Sequence, residues 1–191
     1  MKRFSVFLAA VAMMLPAAAR EPQRGYRGFV DWDNSITSYK IDEGQRETVW
    51  FTGGSTSHGF QFNPHFFLGG GLMIEGSNKL EMATLPLFVQ VRTDQKWGQF
   101  TPFGDLRVGF NCCDGGGIYL SPTVGYRLNW GRKANLNLGI GLTLRGSTTD
   151  NYRMTFTEDF LGTGQSVLDI EYIGKSHHTK AMFTIRLGID F

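Results

Sequence analysis

Long apolar runs are scarce in this chain of 191 residues. The only one, from Phe4 to Leu15, follows the basic pair Lys2-Arg3 and precedes Pro16 and small residues that end at Ala19. This order is typical of a secretory signal peptide, and the run falls short of the roughly 20 residues of a bilayer-spanning helix. We therefore expect residues 1–19 to be a cleaved signal peptide rather than a retained anchor, and residues 20–191 to form one exported domain.

Cysteine is equally scarce, since Cys112 and Cys113 are the only two in the chain. The Cα atoms of adjacent residues lie about 3.8 Å apart, which is below the usual disulfide span, so a disulfide between them would be strained. Two ligands do not make a zinc site. We expect neither a metal nor another cofactor, and the absence of a cysteine just after Ala19 disfavours a lipid anchor.

Neither sign of charge dominates the sequence. The formal net charge is +2, and the Lys, Arg, Asp and Glu residues are mixed along the chain without a basic stripe. Nucleic acid is therefore not an expected partner. Helical patterns are also scarce, whereas glycine is abundant at 25 residues, which favours an all-β chain with tight turns.

The clearest pattern is the last one, from Lys180 to Phe191. From Ala181 every odd position is apolar, and after Met182 the even positions are Thr184, Arg186, Gly188 and Asp190. A period of two puts one face of a β-strand in an apolar medium and the other face among polar groups. We interpret this segment as the closing strand of a small barrel.

The same alternation recurs in seven earlier segments, so the sequence predicts an eight-stranded antiparallel up-and-down transmembrane β-barrel. The short connections Asn63-Pro64, Thr93 to Gln99 and Trp130 to Asn135 would lie in the periplasm. The longer loops Ser35 to Arg46 and Gly146 to Thr179 would lie outside, the second with its own hairpin extension. The expected strands are Gly25–Asn34, Glu47–Phe62 with a bulge at Gly53-Gly54, His65–Glu75, Glu81–Arg92, Phe100–Phe110, Ile118–Asn129, Leu136–Arg145 and Lys180–Phe191.

The polar face distinguishes a membrane barrel from a soluble lipocalin-like one, which would turn its apolar face inward. Glycines interleaved with charges weaken a solvent-exposed strand, but inside a narrow barrel they leave room for long arginines. Nearly balanced charges in so narrow a lumen should pair and plug it, since an unpaired buried charge is costly. The predicted network comprises Asp31, Asp33, Glu75, Asp105, Arg107, Arg127, Arg145, Arg186 and Asp190, with Arg27 and Arg92 on the same face.

Two girdles of aromatic residues are expected at the rims of the barrel. Trp97, Trp130 and Phe191 would lie near one rim. Trp50, Phe110 and Tyr119 would lie near the other rim.

Several segments resemble the small outer-membrane β-barrel proteins of Gram-negative bacteria. The resemblance is to the porin-like, outer-membrane-protein-A transmembrane type, particularly the version of Bacteroides-like organisms. Its segments are GYRGFVDWDNSI, STSHGFQFNPHFFLGGG, FTPFGDLRVGF, GGGIYLSPTVGYRLNWG, LNLGIGLTLR and FTIRLGIDF.

This resemblance implies a location in the outer membrane, with membrane lipid and lipopolysaccharide as neighbours. The terminal aromatic resembles the signal that the barrel assembly machinery recognises during biogenesis. The residues that would form this signal are Phe183, Ile185, Leu187, Ile189 and Phe191.

One group of residues suggests catalysis, because Ser55, Ser57 and His58 occur together. Some eight-stranded outer-membrane barrels modify lipids with Ser and His, but no carboxylate is placed to orient His58, as nucleophilic catalysis requires. We expect His58 to be a structural residue hydrogen-bonded in the lumen. The prediction is a non-enzymatic barrel with structural or binding loops and an unidentified surface ligand; the alternatives are a lipid-modifying enzyme, a narrow channel and a soluble carrier.

Overall fold

The structure is a computed structural model, and it describes residues 24–40, 46–78, 83–95, 100–113, 116–128, 135–158 and 166–191. Within these ranges, residues 39, 40, 46, 147–158 and 166–178 are described by their backbone alone. The expected signal peptide, its cleavage position, Trp97 and Trp130 lie outside the described residues.

All the regular elements of the described residues are β-strands. β4 and β5 are two pieces of one barrel strand, separated at Leu85, so the barrel has eight strands. The described residues contain no helix that is long and apolar enough to cross a bilayer. The strands are β1 (Gly25–Lys40), β2 (Arg46–Asn63), β3 (Phe66–Ser77), β4 (Ala83–Thr84), β5 (Pro86–Asp94), β6 (Phe100–Asn111), β7 (Gly117–Leu128), β8 (Asn135–Glu158) and β9 (Ser166–Asp190).

The sheet closes on itself. Each barrel strand pairs antiparallel with its neighbours in sequence, and β1 pairs with β9 from Phe29↔Asp190 to Ile36↔Phe183. Closure leaves no free edge in the barrel wall. The predicted all-β, eight-stranded antiparallel up-and-down barrel is therefore confirmed.

Several strands are longer than the alternation predicts. β1 continues through the expected loop to Lys40, which pairs with Arg46 of β2. β8 and β9 have 24 and 25 residues and remain paired as far as Glu158↔Ser166, in the region where a hairpin extension is expected. The backbone hydrogen bonds between neighbouring strands continue beyond the segments in which apolar and polar residues alternate, because these bonds do not depend on the side chains.

The prediction of a β-bulge at Gly53-Gly54 is wrong. The register between β2 and β3 runs unbroken through both glycines, and its shift lies between Gln61 and Asn63. Position 53 requires a glycine for another reason. A Cβ atom there would lie 2.7 Å from the Cα atom of Glu75 on the neighbouring strand. The glycine therefore permits a close approach of two backbones.

Candidate functional site: the charged lumen

The lumen contains the charged residues, and the apolar residues lie outside. The buried charged residues of the described part of the chain are six arginines and six carboxylates, each at most 6% exposed. They are Arg27, Arg92, Arg107, Arg127, Arg145, Arg186, Asp31, Asp33, Glu75, Asp94, Asp105 and Asp190. The nine predicted network residues are all among them, and the buried charges sum to zero.

Asp94 is the buried charge that the sequence interpretation missed. The predicted strand ended at Arg92, whereas β5 continues to Asp94 and points this carboxylate inward. The signal was available in the sequence, because Asp94 continues the inward alternation of Gln90 and Arg92.

The turn-side layer of the lumen lies next to the short connections. Asp190 accepts hydrogen bonds from Arg27 Nε at 3.1 Å and from Arg127 Nε at 3.2 Å. Asp94 pairs with Arg27 and with Arg92, whose Nε atom is 2.9 Å from Asp94 Oδ1. Three arginines thus share two carboxylates.

The middle layer has the opposite balance, since two arginines share three carboxylates. Arg186 donates from Nε to Asp33 Oδ1 at 2.5 Å and from Nη1 to Asp105 Oδ1 at 2.9 Å. Arg107 pairs with Asp31, and its Nη1 atom lies 3.5 Å from Asp33 Oδ2. The excess of one negative charge offsets the excess positive charge of the turn-side layer.

The hairpin-side layer holds the ion pair between Arg145 and Glu75. Glu75 Oε2 also lies 3.5 Å from the Thr84 hydroxyl, and the guanidinium of Arg145 lies 5.1 Å from the centroid of the Phe51 ring. Apolar groups fill the space around this pair: Met73, Phe88 and Tyr119 form one buried cluster, and Val49, Phe51 and Met182 form another.

Ion pairs cross the full width of the barrel. Arg107 on β6 reaches Asp31 on β1, and Arg145 on β8 reaches Glu75 on β3; both pairs join strands on opposite sides of the closed sheet. An eight-stranded barrel is just wide enough for its side chains to fill it. These contacts cross the lumen at two levels.

Aromatic rings lie between the charged layers. The Arg92 guanidinium lies 3.7 Å from the centroid of Phe103 and 4.9 Å from that of Phe29, which are cation–π contacts. A Cβ atom at Gly125 would lie 2.1 Å from Leu138 O on the neighbouring strand and 2.8 Å from the Phe103 ring. This glycine therefore permits a close approach of two backbones and leaves room for a ring, whereas the sequence analysis expected it to leave room for a long arginine. Gly188, in contrast, makes room for the Asp31 carboxylate.

The serines and the histidine of the catalytic hypothesis lie on opposite sides of the barrel wall. Ser55 and Ser57 are buried in the lumen. His58 is on the outer face, where its Nδ1 atom is 2.6 Å from the Tyr26 hydroxyl and its Nε2 atom is 3.0 Å from Thr56 Oγ1. The prediction that His58 lies in the lumen is wrong, because consecutive strand residues point to opposite faces and Ser57 occupies the luminal one.

The cysteines are both free and exposed. The described residues contain no group of three or more His, Cys, Asp or Glu side chains that could hold a metal ion. Neither cysteine contributes to the lumen network.

The terminal strand presents Phe183, Ile185 and Leu187 on the outer face. Phe191 exchanges two backbone hydrogen bonds with Gly28, at 2.9 and 3.1 Å. A Cβ atom at Gly28 would lie 2.6 Å from the Phe191 ring, so the ring covers this glycine at the closing seam.

Two of the three aromatic residues expected in the girdle at the hairpin side are exposed on the outer face. Trp50 and Phe110 are exposed on the outer face, as expected. Tyr119 is instead buried in the lumen, where its hydroxyl lies 3.7 Å from Met73 Sδ. Tyr119 lies on the inward parity of β7, together with Ser121 and Thr123.

The architecture defines the class of this protein as a closed eight-stranded antiparallel barrel, and the buried charges of its described lumen sum to zero. No protein-family model matches the chain. No curated protein matches it either.

Proposed function

We propose that this protein is an integral outer-membrane β-barrel without enzymatic activity. Its lumen is closed by paired charges, and the hairpins beyond the barrel have structural or binding roles at the cell surface. The observation that carries the proposal is the distribution of charge between the two faces of the wall. Soluble proteins bury apolar residues and expose charged ones, and this barrel does the reverse.

The outer face has the composition that hydrocarbon requires. Among strand residues with described side chains, no outward position is Asp, Glu, Lys or Arg. A charge at the bilayer midplane costs about 2 to 4 kcal/mol. The exposed outward residues include Leu72, Ile74, Leu87, Val89, Leu106, Val108, Val124, Leu138, Ile140, Leu142, Phe183 and Leu187.

The height of this apolar belt fits a bilayer. On β8 the outward apolar residues extend from Leu136 to Leu144, and a membrane-spanning strand needs about 9 to 11 residues. In water, so continuous an apolar surface would far exceed the few hundred Å² that soluble monomers usually expose.

The alternatives each lack a structural requirement. A soluble carrier needs an open apolar cavity, but in the described lumen the buried apolar groups pack against one another and against the buried charges. A Ser–His enzyme needs both groups on one side of the wall, and Ser57 and His58 lie on opposite sides. A channel needs an open path, and the Arg107–Asp31 and Arg145–Glu75 pairs cross the lumen.

Membrane fractionation of the native host, with gel electrophoresis of boiled and unboiled samples, tests the proposal. We expect the protein in the outer-membrane fraction and a mobility shift on boiling, because a closed barrel resists detergent until heat unfolds it. Recovery from the soluble periplasm without a mobility shift would contradict the proposal and redirect attention to a soluble carrier.

A further inference from the structure

A groove crosses the outer face of the barrel from β5 to β8. It consists of two adjoining cavities of about 560 and 540 Å³, and the residues common to both are Thr93, Gly104, Val124 and Ile140. Gly104 lies at the base of the groove, on the outward parity of β6, because its neighbours Phe103 and Asp105 are buried in the lumen. We call these two cavities the wall groove.

The glycine at the base of the groove is not imposed by the packing of the wall. A Cβ atom at Gly53 or Gly125 would collide with the backbone of a neighbouring strand. A Cβ atom at Gly104 would meet a single atom of the described residues within 4 Å, the Thr93 hydroxyl oxygen at 3.3 Å. A larger side chain would fit there after a small shift of Thr93 and would fill the groove. The small residue therefore keeps the groove open.

Two prolines line the same groove. Pro102 and Pro122 lie in strands that are paired on both sides, where proline is disfavoured because it has no N–H group to donate. Accordingly, the register between β7 and β8 omits the pair of Pro122 with Leu142. Residues that break a local rule of strand composition are typical of functional sites, and both of these prolines lie at the groove.

A polar cleft of about 380 Å³ adjoins the turn-side end of the groove. His65, Thr93, Asp94 and Gln95 line the cleft, and Thr93 and Gln95 also line the groove. The Nδ1 atom of His65 lies 2.8 Å from Asp94 O, and this contact holds the ring beside the cleft. The Asp94 carboxylate is buried and paired with arginines of the lumen. The described lining of the cleft thus offers a hydroxyl, an amide and an imidazole, without Lys or Arg.

The cleft lies at the edge of the apolar belt. Along β5 the exposed outward residues Leu87 and Val89 are followed, at the turn-side end, by Thr93 and Gln95. This change from aliphatic to polar side chains is expected where a strand leaves the hydrocarbon for the headgroup region. The wall groove therefore lies within the hydrocarbon, and the cleft lies level with the lipid headgroups.

The length of the groove fits one leaflet. On β7 the groove extends from Tyr126 to Pro122, and four strand residues span about 13 Å. The hydrocarbon core is roughly 30 Å thick, so one leaflet contributes about half of that. A lipid whose head lies in the cleft can therefore extend one acyl chain along the groove.

We propose that the wall groove and the cleft together bind one glycerophospholipid of the periplasmic leaflet. The acyl chain lies in the groove, and the phosphate and ester oxygens of the head accept hydrogen bonds from the Thr93 hydroxyl and the Gln95 amide. This inference rests on the proposed function, because the groove faces lipid only in a membrane and the short connections place the cleft on the periplasmic side. A cleft without Lys or Arg favours a zwitterionic head over an anionic one.

Contact on several sides distinguishes this lipid from the others around the belt. Lipid chains and the apolar wall attract each other about equally everywhere, so the hydrophobic effect selects no position, and van der Waals contact decides. A chain on a convex part of the wall touches protein on one side. A chain over Gly104 also touches Thr93 on one flank and Val124 on the other.

The first test measures phospholipid bound to the full-length protein, purified from outer membranes in mild detergent, by native mass spectrometry. We expect one phospholipid per wild-type chain, and saturable rebinding of dioleoyl phosphatidylethanolamine after delipidation. Gly104→Leu fills the groove and should raise the dissociation constant by about tenfold. Gly70→Leu is the matched control on the outer face outside the groove, where the nearest described atom, Phe88 O, lies 3.7 Å from a Cβ position; it should bind as the wild type does.

The second test examines the cleft with Gln95→Ala, which leaves the groove unchanged. This variant should bind dioleoyl phosphatidylethanolamine several-fold more weakly and should bind dioleoylglycerol, which lacks the phosphate, as the wild type does. Because Gln95 is exposed beyond the end of β5, this test remains decisive even if Gly104→Leu fails to fold. A wild type without bound phospholipid, equal binding by the two leucine variants, or equal binding of phosphatidylethanolamine by Gln95→Ala and the wild type would overturn the inference.

The mobility shift on boiling, measured for every variant, separates this inference from the proposed function. A shifted, membrane-bound wild type that retains no phospholipid rejects the lipid site alone. A protein without the shift that fractionates as soluble rejects both proposals, since the groove then faces water.

Discussion

The ion pair between Arg145 and Glu75 shows what a single lumen residue contributes. It joins strands on opposite sides of the barrel, and the Thr84 hydroxyl lies 3.5 Å from Glu75 Oε2. Arg145→Met should destabilise the barrel by about 3 to 5 kcal/mol, because Glu75 then remains buried and unpaired. Urea-induced unfolding in lipid vesicles measures this loss.

The double variant Arg145→Met with Glu75→Gln is the control for this prediction. It removes both charges, so most of the lost stability should return. Equal losses in the single and double variants would show that the arginine contributes through packing alone.

The lumen glycines provide a second prediction for single residues. Gly125→Ala should destabilise the barrel by about 1 to 3 kcal/mol through overpacking, because the new Cβ atom would lie 2.1 Å from Leu138 O on the neighbouring strand and 2.8 Å from the Phe103 ring. Gly70→Ala is the matched control on the outer face, since its nearest neighbour would be Phe88 O at 3.7 Å. Comparing the two variants by urea unfolding checks the prediction, and equal effects would contradict it.

At the scale of the element, the terminal strand closes the barrel and ends on Phe191 at the seam. If its outward residues also form the signal for barrel assembly, Phe191→Ala should lower the amount of protein in the outer membrane. Phe100→Ala, which removes another exposed outer aromatic, is the control and should leave the amount unchanged. Quantitative immunoblotting of membrane fractions measures both.

The purified Phe191→Ala protein separates assembly from stability. The seam hydrogen bonds between residues 191 and 28 belong to the backbone and survive the substitution. We expect refolding from urea into detergent to succeed. A variant that fails to refold would assign the effect of Phe191 to its packing over Gly28.

At the scale of the whole molecule, the buried charges of the described lumen sum to zero, although two of its three layers are not neutral by themselves. The turn-side layer holds three arginines and two carboxylates, and the middle layer holds two arginines and three carboxylates. The two layers therefore balance each other. In the proposed function, such a lumen is a plug held by ion pairs and hydrogen bonds.

Reconstitution in planar bilayers tests this plug. We expect no stepwise conductance from the wild-type protein, because side chains on opposite strands meet in the lumen at two levels. A large porin, measured in the same bilayer, is the control for insertion. Regular conductance steps from pure protein would contradict the plug and favour the narrow channel.

The sequence by itself determined the strand faces, because alternation with a period of two depends on local geometry alone. It thereby identified the eight barrel strands and assigned all nine predicted network charges to one face. The ends of the strands were less predictable from the sequence. The predicted fourth strand ended before Asp94, which β5 includes, and the predicted first loop began at Ser35, which β1 includes.

Only the tertiary structure decided which charges pair and what each glycine accommodates. Arg107 and Asp31 are 76 residues apart and meet across the barrel because closure brings their strands to opposite walls. Because of the register between strands, Gly125 lies against the backbone of β8 and the Phe103 ring, and Gly188 lies against the Asp31 carboxylate. The alternation predicts the face of the sheet on which a side chain lies. The position of that side chain along the barrel axis and its neighbours depend on the closed sheet.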